Sequence, residues 1–234
     1  MAAIPLQREI DYPESDGKPM AETELHADVM VDLKHALQAR YAGDPDVQVG
    51  GNLLLYYEEG NPRASVSPDI YVTRGIPKGR RDTYLLWEEG LPPCFVIEVT
   101  SKSTSSEDLR RKKALYERLG IEEYFLFDPR EEYLHPPLQG HRLVDGRYQP
   151  ISTEGDGSLR SRTTGLVLRP EGTDLRLIDA VTGERLLGPM EEIEARQAAE
   201  GRAKEEAAAR RVAEERNRTL EEELARLRRE LGRP

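Results

Sequence analysis

Two short apolar runs constrain this chain more than anything else in it. One is Cys94 to Thr100, reading Cys-Phe-Val-Ile-Glu-Val-Thr, and the other is Glu123 to Asp128, reading Glu-Tyr-Phe-Leu-Phe-Asp. Both have strand length, and their continuous apolar character implies that both faces of each strand are covered. Between them, Glu107 to Leu119 reads as a helix closed by Gly120. Strand, helix and strand joined by short links form a right-handed crossover between parallel strands. One residue disturbs the pattern. Glu98 sits among Phe95, Val96, Ile97 and Val99, where an unpaired carboxylate would be costly to desolvate or would take up a proton.

The rest of the chain arranges itself around this unit. Residues 1–20 are rich in Pro, Asp and Glu and read as a loose arm. From Glu22 to Tyr41, Leu25, Val29, Leu33, Ala36 and Leu37 recur at helical spacing until Gly43 and Pro45 stop the run. A strand pair is expected at Val47 to Val49 and Leu53 to Tyr57, and a further strand at Ser67 to Val72. The basic run Lys78-Gly79-Arg80-Arg81 falls in a loop that extends to Pro93. Beyond Pro129, short glycine-punctuated segments suggest hairpins that finish a mixed sheet. The expectation is an α/β domain over residues 21–185, with a mixed central sheet flanked by helices. Residues 190–234 turn to Glu, Arg and Ala and predict a long charged helix, or two, about 60 Å long if unbroken. Within it, Leu220, Leu224, Leu227 and Leu231 have coiled-coil spacing. A homo-oligomer, as a dimer through this helix, is one expectation. Packing on the core and a solvated helix are the others.

Composition excludes several classes. No stretch approaches the roughly 20 apolar residues needed to span a bilayer, and the N-terminus lacks the apolar run of a signal peptide. The single cysteine, Cys94, precludes an intramolecular disulfide and a cysteine-based zinc site. A cytoplasmic location without membrane association is expected from these features. The formal charge of −10 argues against a protein that coats DNA nonspecifically. Residues 190–234 hold 12 acidic and 11 basic side chains, so the negative excess belongs to the core.

Three residues carry the chemistry. Asp69, following Pro68 at a strand start, reads either as an ordinary turn or strand-end residue or as a metal ligand. Glu98 reads as half of a buried salt bridge or as a second ligand, since hard divalent cations take carboxylate oxygens. Lys112 falls inside the apolar arc that Leu109, Leu115, Tyr116 and Leu119 define at about 100° per residue. It either pairs with Asp108, four residues back, or aims over the sheet toward Glu98. Together they suit metal-assisted phosphodiester hydrolysis. Asp69 and Glu98, with the backbone carbonyl of Thr100, would hold Mg2+ or Mn2+, and Lys112 would orient or deprotonate water or offset charge on the phosphate.

These motifs form a linked set: Pro68-Asp69; Phe95-Val96-Ile97-Glu98-Val99-Thr100-Ser101-Lys102-Ser103-Thr104; Asp108 with Lys112 and Tyr116; and Gly120-Ile121-Glu122-Glu123-Tyr124-Phe125-Leu126-Phe127-Asp128-Pro129. Over residues 20–180 the set resembles the Uma2-like family, formerly a domain of unknown function, classed with the PD-(D/E)XK restriction-endonuclease-like nucleases. The resemblance implies a Mg2+-dependent DNA endonuclease acting on duplex DNA, in which Asp69 matches the PD aspartate and Glu98 the second acidic residue. Thr100 stands where the superfamily lysine usually lies, and Lys112 on the following helix takes its part. Lys102 ranks second for that role. His26 matches a histidine on the first helix of many members and either faces the site or is a satisfied core or surface histidine. Glu22 or Glu24 would supply the acidic group that some superfamily members place there. Lys78, Arg80 and Arg81 form either the loop that approaches DNA or a plain solvated loop. The competing expectation is a non-catalytic binding or assembly protein in which Asp69, Glu98 and Lys112 form a structural ion network. An RNA nuclease, or a hydrolase of a small phosphorylated substrate, is a third.

Overall fold

A computed structural model describes residues 10–15, 23–100 and 107–232, with side chains in the last span from residue 110. It divides into two units, residues 1–188 and 189–234.

The first unit opens with α1 (Glu24–Arg40), whose start is capped by the Thr23 hydroxyl accepting from the His26 amide at 3.3 Å. Strands β1 (Val47–Gly50), β2 (Leu55–Tyr56), β3 (Ser65–Val66), β4 (Ile70–Arg74) and β5 (Tyr84–Leu85) follow, then the single-turn α2 (Leu86–Glu89) and β6 (Phe95–Val99). A π-helical turn, Glu107–Lys112, runs into α3 (Lys113–Leu119). The remaining strands are β7 (Glu123–Phe127), β8 (Leu138–Val144), β9 (Arg147–Pro150), β10 (Leu159–Arg160), β11 (Leu166–Glu171) and β12 (Asp174–Asp179).

The central six-stranded sheet has the order β1-β4-β6-β7-β8-β9. Its one parallel pair is β6 and β7, in register from Phe95↔Glu123 to Val99↔Phe127, so the expected crossover is present. Side-chain alternation then divides the core. From β6 and β7, Phe95, Ile97, Val99, Phe125 and Phe127 face α1 and pack with Val29, Leu33 and Leu37. Val96, Tyr124 and Leu126 face the other way and pack with Leu115 and Tyr116 of α3. Each such buried side chain contributes about 1.5–3 kcal/mol. The sheet thus lies between α1 and α3, a mixed α/β architecture.

Three expectations are corrected. The strands at Val47 and Leu53 do not pair with each other. β1 pairs antiparallel with β4, while β2 joins β3 and β5 in a small sheet of order β3-β2-β5. The segments after Tyr148 do not all finish the central sheet, because β10, β11 and β12 form a third sheet. It is tied in through the fully buried Glu123 carboxylate of β7, which accepts from the Ser161 hydroxyl, the Arg162 and Thr163 amides and Arg142. The segment from Glu107 to Leu119 is not uniformly α-helical, since its first turn is widened into a π-turn. Gly120 ends it at φ +79°, a left-handed conformation that glycine adopts without strain.

The second unit is α4, one unbroken helix of 42 residues, Pro189–Glu230. None of its side chains is buried. Among the described residues, no helix is long and apolar enough to cross a membrane.

Candidate active site

The antiparallel pairing of β4 with β6 sets Ile70 opposite Ile97. Extending that register by one residue sets Asp69 opposite Glu98. The Asp69 Oδ2 atom accepts a hydrogen bond from the Val99 amide at 2.8 Å, fastening the aspartate to the end of β6. Two helices meet this carboxylate pair from opposite faces of the sheet. From α1, His26 Nε2 lies 3.5 Å from Asp69 Oδ2. From the π-turn, Lys112 Nζ lies 2.8 Å from Glu98 Oε2 and also donates to the Ser67 carbonyl at 3.3 Å. One turn on, the Tyr116 hydroxyl donates to Glu98 Oε1 at 2.6 Å.

Glu98 is 0% exposed and Asp69 9% exposed. Burial alone would raise the Asp69 carboxyl. The nearby His26 imidazole, the Lys112 charge and the Val99 amide overcome it and hold the group below the ordinary carboxylate range, so Asp69 is an anion at neutral pH. Burial and the adjacent Glu98 charge push the Tyr116 phenol well above its ordinary value, so it remains a donor. The structure places the Lys112 ammonium on Glu98; the Asp108 side chain, its other expected partner, lies outside the described residues.

Access comes from two small clefts. One, of about 190 Å³, is lined by Ala27, Met30, Lys34, Gly51, Asn52 and Asp69. The other, of about 220 Å³, includes His26, Thr100, Asp128, Arg130 and Tyr133 in its wall. Thr100 donates its amide to the Phe127 carbonyl at 2.7 Å, and its buried hydroxyl has no hydrogen-bond partner among the described residues. Gly51 is a site residue that sequence reasoning missed. A Cβ there would lie 2.2 Å from the Asp69 carbonyl oxygen, so only glycine admits the backbone that carries the aspartate. The only signal for it was the Gly50-Gly51 pair at the end of β1.

Other candidates fall elsewhere. Glu24 is exposed on the first turn of α1. Lys102, Glu22 and the Asp108 side chain lie outside the described residues. The basic loop is committed to its own fold. Lys78 donates to the Tyr41 and Ala42 carbonyls at the end of α1. Arg81 grips Glu89 and the carbonyls of Pro77 and Gly79. Lys78 and Arg80 are exposed and Arg81 is half-buried.

Among the described residues, no group of three or more His, Cys, Asp or Glu side chains is arranged to hold a metal ion. What the site offers is two carboxylates on neighbouring strands. Mg2+ characteristically takes one or two protein carboxylates and completes its shell with water and substrate phosphate, so the donors present fit that ion. A carboxylate oxygen has two lone pairs, so hydrogen bonds from Lys112 and Tyr116 do not by themselves prevent Glu98 from ligating.

No curated protein matches the sequence significantly. Among solved structures, the chain is similar to one from Anabaena variabilis ATCC 29413, described as "a putative nuclease belonging to DUF820". The identity is 17%, the match covers 62% of this chain and 76% of that one, and the TM-score is 0.47. The Uma2 family model, described as "Putative restriction endonuclease", matches residues 2–171, well over half of the chain. With the paired acidic residues and the helix-borne lysine of this site inside that span, the chain belongs to the Uma2 family of PD-(D/E)XK nuclease-like proteins.

Proposed function

We propose that the protein is a Mg2+-dependent DNA endonuclease whose site consists of Asp69, Glu98 and Lys112, supported by His26 and Tyr116. The observation that carries the reading is the convergence of two carboxylates and a lysine from three elements at one end of β6. Asp69 and Glu98 would hold the cation. When bound, Mg2+ polarises the scissile phosphate and lowers the pKa of an attacking water.

The chain's own residues do the rest. The Val99 amide and His26 orient Asp69 and keep it ionised. Tyr116 fixes the rotation of the Glu98 carboxylate. Lys112 places a positive charge beside the reacting centre, where it offsets the negative charge that grows on the phosphate oxygens. It can also hold the attacking water in line.

The test separates binding from turnover. Mn2+ is titrated by calorimetry into the intact chain and into Glu98→Gln, with cleavage of supercoiled DNA assayed in parallel. Joint loss of metal heat and cleavage in the variant supports the reading. Metal binding without cleavage in the intact chain rejects the nuclease activity.

A second reading has its own support. Glu98 is fully enclosed, and both of its oxygens accept from side chains of the same helical segment. That arrangement also suits a non-catalytic protein that uses the network to lock α3 to the sheet. It predicts that Glu98→Gln lowers thermal stability while neither metal binding nor cleavage is seen in the intact chain.

A further inference from the structure

We propose that the outer face of the π-turn and α3 is a docking groove for the phosphodiester backbone of duplex DNA, with Arg111 and Arg118 as its anion-binding residues and Tyr57 as the support of Arg118. The groove has a volume of about 320 Å³ and is lined by Tyr57, Arg111, Ala114, Leu115 and Arg118. Its identity as a DNA site rests on the nuclease reading, but its capacity to bind a polyanion does not require turnover.

The sequence spacing places these residues together. Arg111, Ala114, Leu115 and Arg118 stand at i, i+3, i+4 and i+7, which is one face of a helix. Leu115 is buried and forms the floor, while Arg111 and Arg118 are exposed at the two ends. Ala114 keeps the space between them open. Along the helix axis the two arginines are about 10 Å apart. A DNA strand advances about 3.4 Å per phosphate, so they reach different phosphates.

The chemistry of Arg118 is the more specific sign. Its guanidinium lies over the Tyr57 ring, 5.5 Å from the centroid. An arginine stacked in this way is held by its face and presents its N–H edge outward, the geometry that bonds a phosphate bidentately. Several other arginines of this acidic chain are paired with carboxylates, Arg40 with Asp179, Arg142 with Glu123 and Arg176 with Asp174, whereas Arg74 also rests on a tyrosine ring, that of Tyr41. Among the described residues, no carboxylate forms an ion pair with Arg118. A cation that an acidic protein leaves unneutralised and rests on an aromatic ring is suited to an external anion.

Position completes the argument. The face lies on the same short segment as Lys112 and Tyr116, which hold Glu98. A backbone seated on it would lie against the helical segment whose inner face holds Glu98. The loop at Lys78 and Arg81, the other concentration of basic residues in this unit, is consumed by bonds to its own fold.

The experiment measures binding without chemistry. The full chain is titrated into fluorescein-labelled duplex DNA in EDTA, and anisotropy is followed over a range of salt concentrations. Arg111→Gln/Arg118→Gln is expected to weaken binding about tenfold at low salt and to reduce the slope of log K against log salt by about 2. The charge-matched Arg202→Gln/Arg211→Gln on α4 is expected to leave both unchanged. Tyr57→Phe retains the ring and is expected to bind like the parent, whereas Tyr57→Leu weakens binding. Circular dichroism establishes that every variant is folded.

Equal binding by the parent and the Arg111/Arg118 variant overturns the proposal. So does failure of the parent to bind duplex DNA, or retention only of the single strand. Binding that depends on the groove in a protein that cleaves nothing leaves the groove standing and removes the nuclease. Cleavage with groove-independent binding does the reverse.

Discussion

Lys112 and Glu98 meet 2.8 Å apart where the π-turn crosses the end of β6, with the carboxylate side chain wholly buried and the lysine side chain 11% exposed. Such a pair contributes little net stability relative to apolar residues of similar volume, but breaking it strands a buried charge. Glu98→Gln and Lys112→Met should therefore each cost about 3 kcal/mol or more. The double variant should lose clearly less than the sum. Urea denaturation of the four proteins closes the cycle, and additive losses would show that the two charges do not depend on each other.

Tyr116 makes a separate prediction through the other oxygen of the same carboxylate. Its 2.6 Å hydrogen bond is to an ionised acceptor in a dry setting, so Tyr116→Phe should cost about 1.5–3 kcal/mol. Because the phenol is held well above its ordinary value, alkaline difference spectra should show the same number of titrating tyrosines in parent and variant below the denaturation limit. Loss of one titrating group in the variant would mean that Tyr116 is exposed to solvent.

Two groups with displaced pKa values should shape the acid limb of stability. His141 is half-buried between Tyr124 and Tyr148, and its Nε2 lies 2.8 Å from Lys113 Nζ. Burial and the Lys113 charge lower it from 6.5 to about 4. The unfolded chain therefore binds the extra proton first, and stability falls as pH drops from 6.5 toward about 4. Solvent screening at a half-buried site limits the loss to about 1–2 kcal/mol. Asp69, whose folded pKa lies below 3.8, adds a second loss only as pH falls below that value. Denaturation midpoints across this range should show both stages, with His141→Gln flattening the upper one and Asp69→Asn reducing the lower one, to which the lowered Glu123 and Asp179 carboxyls also contribute. A parent profile that is level from pH 6.5 to about 4 would contradict the burial of His141.

The central elements were legible because periodicity reports burial. The Phe95 to Val99 and Tyr124 to Phe127 runs specify strands covered on both faces, and the short helix between them requires their parallel pairing. Glu98 was legible for the same reason, as a charge where the pattern demanded none. Lys112 was legible only to within two partners, because helical phase fixes the face of a side chain but not which acid it reaches. The partners of β1 and β2 were not legible, since two short strands close in sequence carry no record of which sheet each joins. The role of Gly51 was also hidden. It depends on the approach of the Asp69 backbone, a contact between distant segments that no local pattern encodes. The local partners of the basic loop were not legible for a related reason: Lys78 and Arg81 bond to carbonyls and a glutamate, which composition does not display.

Gly51 gives a prediction that isolates the placement of Asp69. Its missing side chain leaves room for the Asp69 carbonyl, which would otherwise sit 2.2 Å from a Cβ atom. Backbone cannot yield as a flexible side chain does, so Gly51→Ala should cost about 1–3 kcal/mol. It should also impair metal binding and cleavage more than a surface substitution of equal stability cost. An alanine variant with unchanged stability and metal heat would show that this close approach is relaxed in solution.

The leucines of α4 raise the last question, that of partners. Leu220, Leu224 and Leu227 are each about half exposed and Leu231 is 73% exposed, at the 4-3-4 spacing of a coiled-coil seam. Exposed pairs such as Arg210–Glu214 and Arg226–Glu230 support the helix locally, but each contributes only about 0.3–0.5 kcal/mol. A helix so polar on its other faces gains more by covering the seam with a second copy than by standing alone in water. The intact chain should therefore show a dimer mass by light scattering, and its helical circular dichroism should fall on dilution. Leu224→Glu/Leu227→Glu should shift the mass to that of the monomer without changing the unfolding of residues 1–188, and truncation after Gly188 should do the same. A monomer mass for the intact chain, or a dimer that survives both changes, would assign the seam no role in self-association.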